Sequence, residues 1–219
     1  MEIEEETFSQ ETFATVMQSL VVKIEDNRQN LEVLFTDDAW PPLPVIKSVP
    51  NMLREENGQA YTPSVVSIGP LHNRNESLKT METDKLRYMC FLFERTKNLE
   101  QTRKDCVEAM SRKEKTFKKC YPDCKQEVDD VTSSSRLVEM MLIDGCFIIE
   151  LIYRHYKIVK KDTLEDKKDP ILQDAFRHST VLRDLLLLGN QIPFFAPEEL
   201  FHLTVKSIMP GANLFEFVL

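Results

Sequence analysis

Apolar side chains recur along this chain at the spacing of α-helices, in blocks separated by proline, glycine or charge. Phe13, Val16, Leu20 and Ile24 fall on one face of a helix across residues 12–25. Leu78, Met81, Tyr88 and Leu92 form a second stripe, with Met89 and Phe93 beside it, and predict a helix over 77–97. A more polar helix is expected over 99–119, with Val107, Met110 and Phe117 as its apolar members and Tyr121-Pro122-Asp123 as its end.

The serines at 133–135 offer capping oxygens to the helix that follows, expected over 136–158. It is apolar on nearly every side through Met140-Met141-Leu142-Ile143 and Cys146-Phe147-Ile148-Ile149, the mark of a central buried helix. Pro170 suits the first turn of another helix. A further one is expected over 179–188, stopped by Gly189, and a last short one opens at Pro197-Glu198-Glu199. Between these blocks, residues 37–44 read as a proline-rich arm around Trp40 and residues 45–74 as irregular chain. Val65, Val66, Ser67 and Ile68 form a β-prone run ended by Gly69-Pro70, room for one short strand or extended strip. The expected fold is mainly α: an irregular helical domain with a central buried helix and at most one or two short strands. Its expected organisation is an acidic helix and arm over 1–44, a helical domain over 45–206 and a divergent tail over 207–219.

Composition narrows this reading. Only 5 glycines occur in 219 residues, too few for a sandwich or barrel of many short strands. The net charge of −8 argues against a nucleic-acid binder, which presents a basic surface. The acidic start, Met1-Glu2-Ile3-Glu4-Glu5-Glu6, is the reverse of a secretory signal. No transmembrane helix is expected: the best candidate, 140–153, carries Asp144 and Glu150, and two carboxylates at bilayer depth cost several kcal/mol. Five cysteines without an export signal point to reduced thiols, in a protein that is cytoplasmic or peripherally associated with a membrane.

Several strings, taken together and in order, carry a resemblance. They are Val49-Pro50 with Leu53-Arg54, Ala60-Tyr61-Thr62-Pro63, Val66-Ser67-Ile68-Gly69-Pro70 with His72, and Met81-Glu82 with Lys85 and Arg87-Tyr88. They continue through the run 140–150, then Asp184-Leu185-Leu186-Leu187-Leu188 and Asn190-Gln191-Ile192-Pro193-Phe194. Over residues 46–203 this resembles the N-terminal half of the plant domain-of-unknown-function 247 family, also called uncharacterised protein family 0481. The chain departs from that pattern at Ser48, Leu71, Asn73 and Gly189, and members run about twice as far to a single transmembrane helix. A truncated form is therefore expected. The resemblance implies a plant protein without established enzymatic activity, related to membrane-associated proteins. Some grass relatives are linked to self-incompatibility, which implies recognition of a protein partner.

Candidate chemistry is sparse. There is no nucleophile elbow, phosphate-cradling loop or dinucleotide fingerprint, so neither catalysis nor a cofactor is expected. Cys120 and Cys124 are four residues apart, but structural zinc sites want closer, recurring ligand pairs, and no metal is expected. His72, His155, His178 and His202 are scattered and read as surface or hydrogen-bonded core histidines.

Asp144 and Glu150 are the informative residues. A carboxylate on a buried helix must find a cation or several donors, or take a proton. Arg87, Arg177 and Arg183 are candidate partners, and Gly145 lets a neighbouring helix approach. With Asp184, Asn190 and Gln191 they make a candidate structural polar hub. Two readings stand. In one, the hub holds the fold of a module that binds an unknown protein, and the apolar end of the chain, 213–219, is the trace of a lost partner surface or a lost second half. In the other, Asp144, Tyr61 and His72 line the site of an enzyme or small-ligand receptor.

Overall fold

The computed structural model describes residues 43–122, 134–160, 169–212 and 214. The chain divides into two units, 1–43 and 44–219, and the described residues other than Leu43 belong to the second. The helix expected over 12–25 and nearly all of the proline-rich arm lie outside the described residues, as do Ser133, Cys124 and most of the charged stretch after Lys160.

The helices are α1 (Asn51–Asn57), α2 (Thr80–Glu94), α3 (Leu99–Arg112), α4 (Glu114–Lys119), α5 (Ser134–Val159), α6 (Ala175–Leu185), α7 (Phe195–Leu203) and α8 (Val205–Ile208). Short 3-10 turns occupy Gly58–Tyr61 and Glu76–Leu78. No strand occurs among the described residues. The fold is mainly α, as the periodicity indicates.

Helix α5 is the centre. Its 26 residues make a rod about 39 Å long at 1.5 Å per residue. Helices α2, α3, α4 and α7 pack around it. Leu137, Met141, Cys146, Phe147 and Ile149 are buried against them. At Gly145 the missing side chain admits α7: a Cβ there would stand 2.5 Å from a methyl of Leu200. No helix among the described residues is long and apolar enough to cross a membrane.

Helix α2 buries Met81, Lys85, Tyr88, Leu92 and Phe93 toward α5. Asn98 caps α3, its side chain accepting from the Gln101 N–H, and Thr102, Cys106, Ala109 and Met110 form the buried face. The single helix expected over 99–119 is broken at Lys113, where φ is −95° and ψ is 2°. Continuing the stripe Cys106–Met110–Phe117 through position 113 would bury an ammonium. The break turns Lys113 outward instead, over the Phe195 ring and 3.5 Å from Glu199. Phe117 still reaches the core, stacked 5.4 Å from Phe195. Val107, expected as an apolar contact, is exposed.

Other departures have local causes. Residues 45–74 are not wholly irregular, because Pro50 is followed by the short helix α1, none of whose residues is buried. Without a buried face, no apolar period marks it. Pro170 sits in a turn rather than a helix, and α6 begins at Ala175, where the Asp174 side chain accepts from the Phe176 and Arg177 N–H groups. Leu214 is only 7% exposed and packs in the core, so the expectation of an uncovered apolar end fails at that residue.

The β-prone run 65–68 pairs with no strand among the described residues: with its flanks Ser64 and Gly69 it forms an irregular strip. Val66 and Ile68 are buried, so its backbone N–H and C=O groups need partners from elsewhere. Side chains supply them, and those side chains define the site.

Candidate functional site

Two carboxylates and an amide close around the strip 64–69. Asp184, at the inner face of α6, accepts through one oxygen from the backbone N–H groups of Ser64 at 2.9 Å, Val65 at 2.7 Å and Val66 at 3.1 Å. Its other oxygen accepts from Arg183 at 3.0 Å. Asn190 accepts from the Ile68 N–H at 2.8 Å and donates to the carbonyls of Val66 at 3.0 Å and Asp184 at 2.8 Å. Asp144, on α5, accepts from the Gly69 N–H at 2.8 Å. The strip's ladder is thus built from side chains.

Gly69 is required by this arrangement. Its φ is +72°, and a Cβ there would lie 2.5 Å from the Gln191 carbonyl oxygen. That carbonyl also accepts from the Tyr121 hydroxyl at 2.9 Å. Gln191 therefore enters the hub through its backbone.

The cation for Asp144 is Lys85, 2.6 Å away and only 2% exposed. Lys85 also donates to the Ser67 carbonyl at 2.8 Å and lies 2.7 Å from Glu82. Its three ammonium protons thus have three acceptors. The arginines expected as partners are committed elsewhere: Arg87 and Arg177 to Asp84, and Arg183 to Asp184. They fail as partners because Asp144 faces α2, and the residue of α2 aimed at it is Lys85.

Glu150 points to another face of α5, six residues on, and forms a separate cluster. It is bound by Arg95, with contacts of 3.0 and 3.3 Å, and by Arg154 at 2.7 Å. Arg154 continues to Asp169 at 2.6 Å, with its guanidinium over the Tyr88 and Phe91 rings. Asp169 accepts further from the Tyr88 hydroxyl and from the Ile171 and Leu172 N–H groups. This cluster ties the turn before α6 to α5 and α2.

The electrostatics follow from burial. Burial draws Lys85 down, but Asp144 and Glu82 outweigh it and hold the ammonium above its ordinary value. Burial pushes Asp144 up, against Lys85 and the Gly69 N–H. The pair is asymmetric because Lys85 meets two carboxylates and Asp144 one ammonium. Burial likewise raises Glu150, against Arg95 and Arg154. Burial pushes the Cys120 thiol to about 11 and the Cys106 thiol to about 12, so neither is a nucleophile at neutral pH.

A cleft of about 530 Å³ opens beside the hub, lined among others by Asn73, Arg74, Lys79, Glu82 and Arg136. A second of about 180 Å³ shares Asn73, Glu82 and Arg136 and reaches Asp144. Neither of these two clefts is lined by Tyr61 or His72, so neither joins Asp144 to them. Among the described residues no group of three or more His, Cys, Asp or Glu could hold a metal ion.

Sequence reasoning missed Lys85, Arg95, Arg154, Asp169 and Tyr88 as hub members. Two of them left a signal. Lys85 continues the stripe of Leu78, Met81, Tyr88 and Leu92, so a helix burying that stripe must bury it too. Arg154 stands four residues after Glu150, the spacing of a helical ion pair.

Comparison with known proteins adds family context. A family model described as a plant protein of unknown function, DUF247, matches residues 46–218. The UPF0481 protein At3g47200 of Arabidopsis thaliana is 30% identical over 169 residues, which are 77% of this chain and 33% of that protein. The putative UPF0481 protein At3g02645 of the same plant is 27% identical over 176 residues, 80% of this chain and 30% of that protein. The chain spans about a third of the length of these curated relatives. No solved structure matches it significantly.

Proposed function

Because this chain belongs to the DUF247 family of plant proteins of unknown function, we propose its role from the molecule itself: it is a protein-interaction module that docks another polypeptide on the outer face of α6, and it acts by binding rather than by catalysis. One observation carries this reading. On α6 Phe176 is 78% exposed and Leu182 is open to solvent, and just past its C-terminal end Leu186 is 81% exposed and Leu188 is also open. The inner face of the same helix is anchored by Val181 and Asp184. A helix held rigidly inside while presenting large apolar side chains outside is the form of a binding surface. Covering such a side chain contributes about 1.5–3 kcal/mol.

The nearby charges favour an apolar partner. Arg177 is paired with Asp84, and Arg183 with Asp184 and the Gln59 carbonyl, so the rim carries little unbalanced charge. The occupant we commit to is a segment of the kind that makes up the remaining two thirds of the longer relatives. The hub supports a binding role by rigidity: its buried groups hold backbone and one another in fixed partnerships.

The test titrates this protein with the separately expressed unmatched portion of the Arabidopsis relative and reads binding by calorimetry. Saturable binding is expected, weakened at least tenfold by Leu186→Glu with the fold retained. No binding, or equal binding by the variant, overturns the proposal. Self-association through the same face, seen by analytical ultracentrifugation, overturns it in favour of a dimer.

A further inference from the structure

The histidines were expected to be surface or hydrogen-bonded core residues; the ring of His178 is half-buried and that of His155 is exposed. The Nε2 of His178 is buried and has no hydrogen-bond partner. Its ring stacks on that of His155, with centroids 5.6 Å apart and planes 30° apart. His155 belongs to the last turns of α5, and His178 to the first turns of α6. We propose that this stacked pair is a pH-sensitive joint that seals the N-terminal half of α6 to α5 when His178 is neutral and loosens it when His178 takes a proton.

The surroundings give the protonated ring no other outlet. The charged or titratable groups facing it among the described residues are His155 on α5 and Asp169 in the preceding turn. Asp169 already accepts from Arg154, Tyr88 and the Ile171 and Leu172 N–H groups. On α6 itself, Asp174 caps the Phe176 and Arg177 N–H groups, and Arg177 is paired with Asp84 of α2. A proton added to the buried Nε2 creates a donor and a charge with no hydrogen-bond acceptor beside it among the described residues, which disfavours the closed form. Burial and the neighbouring His155 hold His178 below the ordinary histidine value, in keeping with that geometry. In the opened form the ring reaches water and binds its proton normally. Below the ordinary value of 6.5 the opened population therefore grows, by at most about tenfold per pH unit for one proton.

The joint is tested by hydrogen exchange from pH 7.5 down to 5, with protection factors normalised for the intrinsic rate. Protection at Val181 and Leu182 is expected to fall steeply below pH 6.5, while Phe147 and Ile149 in α5 change far less. His178→Gln is expected to abolish the slope, and His72→Gln to leave it in place. A wild-type slope shared equally by α5, or one that survives His178→Gln, overturns the proposal. Should His178→Gln fail to fold, the ring of His178 is titrated by NMR in the wild-type chain. Its titration is expected to coincide with shifts of the α6 amides, and a ring that titrates while those amides stay fixed overturns the joint.

Discussion

Lys85 stands on the apolar stripe of α2 between Met81 and Tyr88, and its ammonium is committed to Asp144, Glu82 and the Ser67 carbonyl. Removing one partner of a buried pair leaves an uncompensated charge, which costs more than the pair itself contributes. Lys85→Met keeps most of the volume and strands Asp144 with the Gly69 N–H alone. We expect a loss of about 3–5 kcal/mol in urea unfolding. Lys79→Ala, which breaks the exposed pair with Glu76, is the control and is expected to cost under about 1 kcal/mol. Equal effects would mean that the buried pair is not anchoring the strip. The stripe marked Lys85 in the sequence. Its partner could not be read there, because Asp144 lies 59 residues away and which faces of α2 and α5 meet is a tertiary matter.

At the scale of elements, the strip 64–69 is held without a second strand. Asp144 reaches it from α5, Asp184 from α6 and Asn190 from the turn after α6, so it works as a joint between α5 and α6. Gly69→Ala tests this directly. The substitution forces a side chain into φ +72° and against the Gln191 carbonyl, which belongs to backbone and cannot swing aside. A loss above about 2 kcal/mol is expected, measured by thermal and urea unfolding. A near-neutral result would show that the strip can leave its clamp. Element positions were legible wherever an apolar face was buried: α2, α5 and α7 lie close to where the periodicity puts them. The break at Lys113 and the short helix α1 were not legible. No glycine or proline announces the first, and no buried face announces the second.

For the whole molecule, the buried titratable groups set a pH window. His72 and His178 are held below 6.5, chiefly by burial. The folded state then binds fewer protons than the unfolded chain just below that value. Their contribution is complete above pH 6.5 and falls as pH drops through their folded values. Asp144 and Glu150 are raised, so they act in the opposite sense, their cost growing as pH climbs from the ordinary carboxylate range. Lys85 is held above 10.5, so its contribution is present below that pH and is lost as pH rises through its folded value. Urea midpoints measured against pH are expected to decline below 6.5 and again above 10.5. The double variant His72→Gln/His178→Gln should flatten the acid decline while leaving the alkaline one. An unchanged acid limb would assign it to other groups.

The sequence by itself determined the helical class, the central place of α5 and the family, because each rests on local period or on ordered strings within the chain. It also marked Asp144, Glu150, Asp184, Asn190 and Gln191 as polar groups in apolar surroundings. Only the tertiary structure decided that Asp144 takes Lys85, that Glu150 takes Arg95 and Arg154, and that Asp184 and Asn190 grip backbone. Helical spacing constrains neighbours three and four residues apart, whereas most of these partners meet across 55 to 124 residues of chain. Their distances are set by how the helices pack, and no local pattern encodes that.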